Sequence, residues 1–205
     1  QLRTNLFASI SKDYITQVSM LSDADKLMLT YVNGSRQNKI GADLDITYKF
    51  NKYISVNPAF SVFHTRSTGQ YNEIDLSTDD FAWTGSLKTT IKPEKRTEVQ
   101  IFLNYNSLLS LPQFRLGEIY YADISVRRSF LDNKLSVSLT MTDVFNTRKW
   151  NIESDNAVYK LDNYSKNQTR MVWLGLTFNF NSYKANKPQK SGDGEIDNRI
   201  IKLGD

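Results

Sequence analysis

Arg170-Met171-Val172-Trp173-Leu174-Gly175-Leu176-Thr177-Phe178-Asn179-Phe180 is the stretch whose reading decides the fold. Every even position from Val172 to Phe180 is apolar, while after Met171 and Trp173 the odd positions fall to Gly175, Thr177 and Asn179. A period of two puts successive side chains on opposite faces, so the segment reads as a strand with one greasy and one polar face. Beyond it the composition collapses into Asn, Lys, Ser, Gly and Asp. Residues 181–205 bury too little apolar surface to fold alone, and the sequence predicts a disordered polar tail there.

The same period runs backwards through the chain. Leu135, Val137, Leu139 and Met141 oppose Ser136, Ser138, Thr140 and Thr142, after a tight turn at Leu131-Asp132-Asn133-Lys134. Tyr120, Ala122, Ile124, Val126 and Phe130 oppose Tyr121, Asp123, Ser125, Arg127 and Ser129. Val99 to Tyr105 and Phe81 to Ile91 alternate likewise, joined by a turn at Pro93-Glu94-Lys95. The strand from Ile54 to Val62 carries Pro58, which removes one ladder donor and is a blemish there. A polar loop is expected from about Ser67 to Asp79. The segment from Lys26 to Phe50 contains Gly34 and Gly41, expected as bulges or bends, and ends in a turn at Asn51-Lys52. The first strand runs from Leu2, blurs at Asp13-Tyr14-Ile15 and stops near Leu21, before a polar turn at Ser22-Asp23-Ala24-Asp25.

The expected fold is therefore all-β, an antiparallel meander of about eight long strands over residues 1–180. The turns after Phe50, Pro93 and Phe130 are short, whereas the connections after Val62, Tyr105 and Phe145 are long. Short turns at one rim and long loops at the other is the asymmetry of a transmembrane β-barrel.

The totals agree with this. The 205 residues contain no Cys, which removes disulfides, zinc fingers and thiol catalysis together. The net charge of +4 is spread through the chain, with no basic block to bind nucleic acid. No apolar run approaches the ~20 residues of a spanning helix. A barrel, by contrast, hides its lipid face in alternation.

Alternation leaves open which face meets lipid. A lipocalin-like barrel packs its apolar face inside, and a porin-like one turns it outward. Two features favour outward. Tyr48, Phe50, Phe130, Phe178 and Phe180 on the apolar face gather at the short-turn rim, with Trp83, Tyr105 and Tyr120 toward the other, as membrane-interface girdles do. The polar face carries Arg3, Asp43, Asp45, Lys88, Glu98, Asp123 and Arg127, each costly in a dry interior.

From Leu135 onward the Asp143-Val144-Phe145-Asn146-Thr147 run and the Leu174-Gly175-Leu176-Thr177-Phe178-Asn179-Phe180 ending carry a likeness. Nearly the whole chain to Phe180 resembles the C-terminal barrel portion of TonB-dependent outer-membrane receptors of the Bacteroidetes type. The resemblance implies a Gram-negative outer-membrane location with the tail in the periplasm. It implies import of a scarce nutrient of siderophore, glycan or peptide class through a larger barrel. It also implies outer-membrane lipid, a plug and the TonB complex as partners. Because Gln1-Leu2-Arg3 already reads as strand interior, the chain is expected to be a fragment of something longer. The alternative is a complete small eight-stranded barrel with an adhesion or structural role.

No catalytic, metal or cofactor site is expected. His64 is the single histidine and reads as an interfacial residue near the loop rim. Asp43/Asp45 and Asp79/Asp80 read as solvated carboxylates rather than catalytic groups or calcium ligands. No serine-hydrolase elbow, phosphate loop or dinucleotide fingerprint occurs. Phe114, Trp150 and Tyr159 in the outer loops are the candidate ligand contacts.

Overall fold

A computed structural model of the chain describes residues 1–21, 26–155 and 159–180. The turn expected at Ser22 to Asp25 and the tail of residues 181–205 lie outside the described residues. Eight long strands form one antiparallel sheet: β1 (Leu2–Leu21), β2 (Leu27–Ile46), β3 (Ile54–Thr68), β4 (Thr78–Glu94), β5 (Thr97–Asn106), β6 (Ile119–Phe130), β7 (Leu135–Thr142) and β8 (Met171–Phe178). Each pairs with its sequence neighbour, and the order runs openly from β1 to β8. A ninth, two-residue strand, Tyr48–Lys49, continues β2 along β3.

The gap that separates it from β2 traces to Pro58. Asp45 pairs with Ala59 and Tyr48 with Val56 in one unbroken register, which puts Ile46 opposite Pro58. Thr47 spends its N–H and C=O on Gln1 of the other neighbour. Ile46 therefore faces Pro58, which has no N–H to give, and the ladder skips one rung without losing register.

Gly41 is not a bend. It lies in a straight ladder between Phe7 and Phe63. A Cβ there would come 2.6 Å from the Val62 carbonyl oxygen and 2.9 Å from the Phe63 Cβ, and would run into the Phe7 ring. Glycine is present because a ring occupies its side-chain space. The β1–β2 ladder slips higher up, between Ser11 and Ile15, where Gly34 lies on the facing strand and Asp13 has φ 53°.

Three other expectations are corrected. Strand β4 runs on through Pro93 and Glu94 over a bulge after Ile91, so its turn is only Lys95-Arg96. The connection after β3 is shorter than Ser67 to Asp79 and contains a small hairpin, Gln70–Tyr71 with Ile74–Asp75. The connections expected to be plain loops after Tyr105 and Phe145 contain strands Leu109–Leu111, Phe114–Leu116, Trp150–Asp155 and Lys160–Ser165. Those four pair into a second antiparallel sheet. Their sequences are too short for a period to register.

The core is small and sits at this loop end. Val18, Val32 and Leu76 are buried, packed by Met20, Tyr71 and Ile74. Elsewhere the apolar face of the long sheet stays uncovered. Leu103, Leu139 and Leu174 are 42%, 51% and 69% exposed. A globular domain would bury those leucines together, and this molecule does not.

Candidate functional site

Two surfaces and a roof make up the working part of the molecule. On the apolar face, Phe60, Trp83, Tyr105 and Tyr120 come from four adjacent strands and form one row. Their ring centroids lie 5.6, 4.6 and 6.4 Å apart along it. Gly85 sits opposite both Phe60 and Tyr105, leaving space for the rings beside it. At the short-turn rim Tyr48 meets Phe50 edge to face at 4.7 Å, and Phe178 meets Phe180 at the same distance. Phe130 lies under the Arg128 guanidinium there. From Tyr120 down to Phe130 is ten residues of β6, about 33 Å of strand; tilted near 45° it spans roughly 23 Å. That is close to the ~25 Å apolar band of outer-membrane barrels. The row was legible except for Phe60, whose place beside Trp83 depends on pairing register.

On the polar face, hydrogen bonds cross from strand to strand. Asp43 accepts from Ser61 Oγ at 2.6 Å and Asn5 Nδ2 at 3.1 Å. Ser125 and Thr140 share a bond of 2.9 Å, and Lys92 Nζ stands 3.1 Å from Glu98. Arg3, Asp45, Lys88 and Arg127 are exposed on this face. Such a face is stable only against water.

The roof is the second sheet, tied to the long one by Asp143. This carboxylate is 1% exposed. It accepts from the amides of Thr147 (2.8 Å) and Arg148 (3.2 Å), from Lys166 Nζ (3.1 Å) and from Thr169 Oγ1. Its own amide donates to Asp123 Oδ1 at 2.8 Å. Burial pushes its pKa up, but the bonds from Thr169, Lys166 and the two amides prevail and hold it down at about 2. The Asp143-Val144-Phe145-Asn146-Thr147 run carries the sequence resemblance, but the anchoring role of Asp143 follows only from the fold, which sets it in a left-handed turn (φ 46°). Across the arc, Gln113 reaches β1, accepting from the Ser19 amide at 2.8 Å and donating to its carbonyl at 3.3 Å. The Ser110 amide donates to Asp80 at 2.9 Å.

Two cavities lie beneath this roof. One of about 280 Å³ is bounded by Tyr14, Gln37, Lys39 and Phe63 of the wall and by Leu109 to Pro112 and Phe114 of the roof. The other, about 290 Å³, brings Phe114 and Tyr159 together with Leu29 and Leu161. Trp150 lines neither; its ring instead faces the Arg148 guanidinium, 5.6 Å away, which also covers Tyr121 at 4.4 Å. His64 lies on the apolar face beside Asp79. Among the described residues no cluster of His, Cys, Asp or Glu could hold a metal ion.

An aromatic-belted apolar face backed by a hydrated polar one defines the wall of a membrane-spanning β-barrel. The model of the outer membrane protein beta-barrel family matches residues 1–180, and the chain belongs to that family. Neither curated proteins nor solved structures yield a match.

Proposed function

We propose that the chain is the C-terminal part of the barrel wall of a TonB-dependent outer-membrane receptor, which imports a scarce nutrient of siderophore, glycan or peptide class. In this reading the wall makes and breaks no covalent bond; a plug and the TonB complex, both outside this chain, supply gating and energy. The observation that carries it is the pair of open sheet edges. Gln1 exchanges both backbone bonds with Thr47, so the alternation turns the N–H and C=O of Leu2, Thr4, Leu6, Ala8 and Ile10 toward the free side of β1. At the other end Asn179 donates to the Lys134 carbonyl, which turns those of Val172, Leu174, Leu176 and Phe178 toward the free side of β8. Several of these same residues carry lipid-facing side chains. In hydrocarbon each unsatisfied backbone group costs several kcal/mol, so both edges call for further strands. A closed eight-stranded barrel would also leave an interior only wide enough for side chains, against the charged, roofed face found here.

The test is the intact gene product with a deletion strain. We expect a mature protein several times the 23.6 kDa of this chain. We also expect lost growth on one class among iron chelates, glycans and peptides, reproduced when TonB is inactivated. A native product of this size with β1 paired to β8 would instead establish the small adhesive or structural barrel.

A further inference from the structure

The wall cavity of about 280 Å³ contains a cation with no ion-pair partner among the described residues. Lys39 stands on the polar face of β2, two residues above Gly41. Because Gly41 has no side chain, the Phe7 ring enters its side-chain space and the Phe63 Cβ closes in from the other strand. The Lys39 ammonium rests on that platform, 4.0 Å from the Phe63 centroid and 5.8 Å from that of Phe7. It makes no ion pair with any described residue. The nearby acids of the same wall accept from neutral donors, Asp43 from Ser61 and Asn5 and Asp80 from the Ser110 amide, and Asp43 acts on Lys39 only through space. Among the described residues that line the cavity Lys39 is the one cation; the others offer neutral polar groups (Gln37, Thr65, Ser67) and an apolar roof (Leu111, Phe114).

We propose that this cavity is a binding site for a small organic anion, a carboxylate with an apolar body. The carboxylate meets the Lys39 ammonium, and the apolar body lies beneath Leu111 and Phe114. The aromatic platform matters because it holds the ammonium in place without cancelling its charge. A ring contact leaves the outward N–H donors free for a charge-assisted bond. The volume suits a ligand about the size of a substituted benzoate or a short peptide end, and the roof is fixed across it at Gln113 and Ser110 rather than hanging free.

This deepens the import reading, on which its physiological meaning rests; the binding itself is measured without transport. The intact gene product, purified from outer membranes, is titrated with benzoate and with benzamide, its uncharged counterpart. We expect benzoate to bind at least about tenfold more tightly, the worth of one charge-assisted hydrogen bond. Lys39→Gln should remove that preference while leaving benzamide binding unchanged, and Lys39→Arg should retain it. Equal affinity for the two probes, or a preference that survives Lys39→Gln, overturns the site. If the preference is found and TonB-dependent growth is not, the import reading falls and the site stands. If growth is found and the preference is not, the reverse holds.

Discussion

Burial alone would make Asp143 a poor anion, yet it is the most heavily bonded carboxylate described in the molecule. Two amides, a hydroxyl and an ammonium converge on it from the chain before and after the long loop. Because its pKa is depressed from 3.8 to about 2, its contribution is fully present above pH 4 and is lost as pH falls toward 2. The size is roughly 2 kcal/mol, at about 1.4 kcal/mol per unit. Asp143→Asn keeps a residue that tolerates the left-handed backbone, so it removes the charge and spares the turn. Hydrogen exchange of the amides of Trp150 to Asp155 and Lys160 to Ser165, corrected for intrinsic rates, should lose protection between pH 4 and 2. In Asp143→Asn it should be low at pH 7 and lack that pH step. Protection that is flat across this range in the unaltered chain would mean that Asp143 does not anchor the roof.

At the scale of strands, the period of two made the eight long elements legible. It could do so because one face meets a uniform solvent and leaves an unbroken stripe. Pro58 was a blemish in that pattern, and its cost is now located: one missing rung opposite Ile46, with register intact. The roof sheet was not legible, because its strands are short, only the pairing of Phe114–Leu116 with Trp150–Asp155 joins segments far apart in the chain, and Leu109–Leu111 and Lys160–Ser165 extend it as local hairpins with no lipid face to impose alternation. Phe114 and Tyr159 were singled out only as loop aromatics, and their shared cavity follows from that pairing. Neighbouring residues of β7 test the assignment of faces. Leu139 is midway between the aromatic row and the short-turn rim and points outward, while Thr140 bonds Ser125 on the polar face. Leu139→Arg should cost about 2–4 kcal/mol of folding free energy in vesicles, and Thr140→Arg much less. Denaturant titration of both variants reads the difference, and equal costs would mean that the stripe does not face lipid.

For the whole molecule, the decisive feature is that the sheet has two ends. Strand β1 is twenty residues long, about 66 Å, far more than a tilted strand needs to cross a bilayer. Its upper part is accounted for within the chain: Val18 is buried under the small hairpin, and the backbone of Ser19 is covered by Gln113. Its lower part, from Leu2 to Ile10, has no such cover, and neither does β8 among the described residues. The division falls at the slip between Ser11 and Ile15, where the capped stretch gives way to the bare one. If further strands complete the wall, the amides of Leu2, Leu6, Ile10, Leu174 and Leu176 should be strongly protected from exchange in the intact protein purified from membranes. In this chain folded alone they should exchange orders of magnitude faster than those of Arg3 and Asn5, whose backbones face β2. Protection of both edges in the isolated, monomeric chain would require β1 and β8 to pair with each other, and the wall would then close on itself with eight strands.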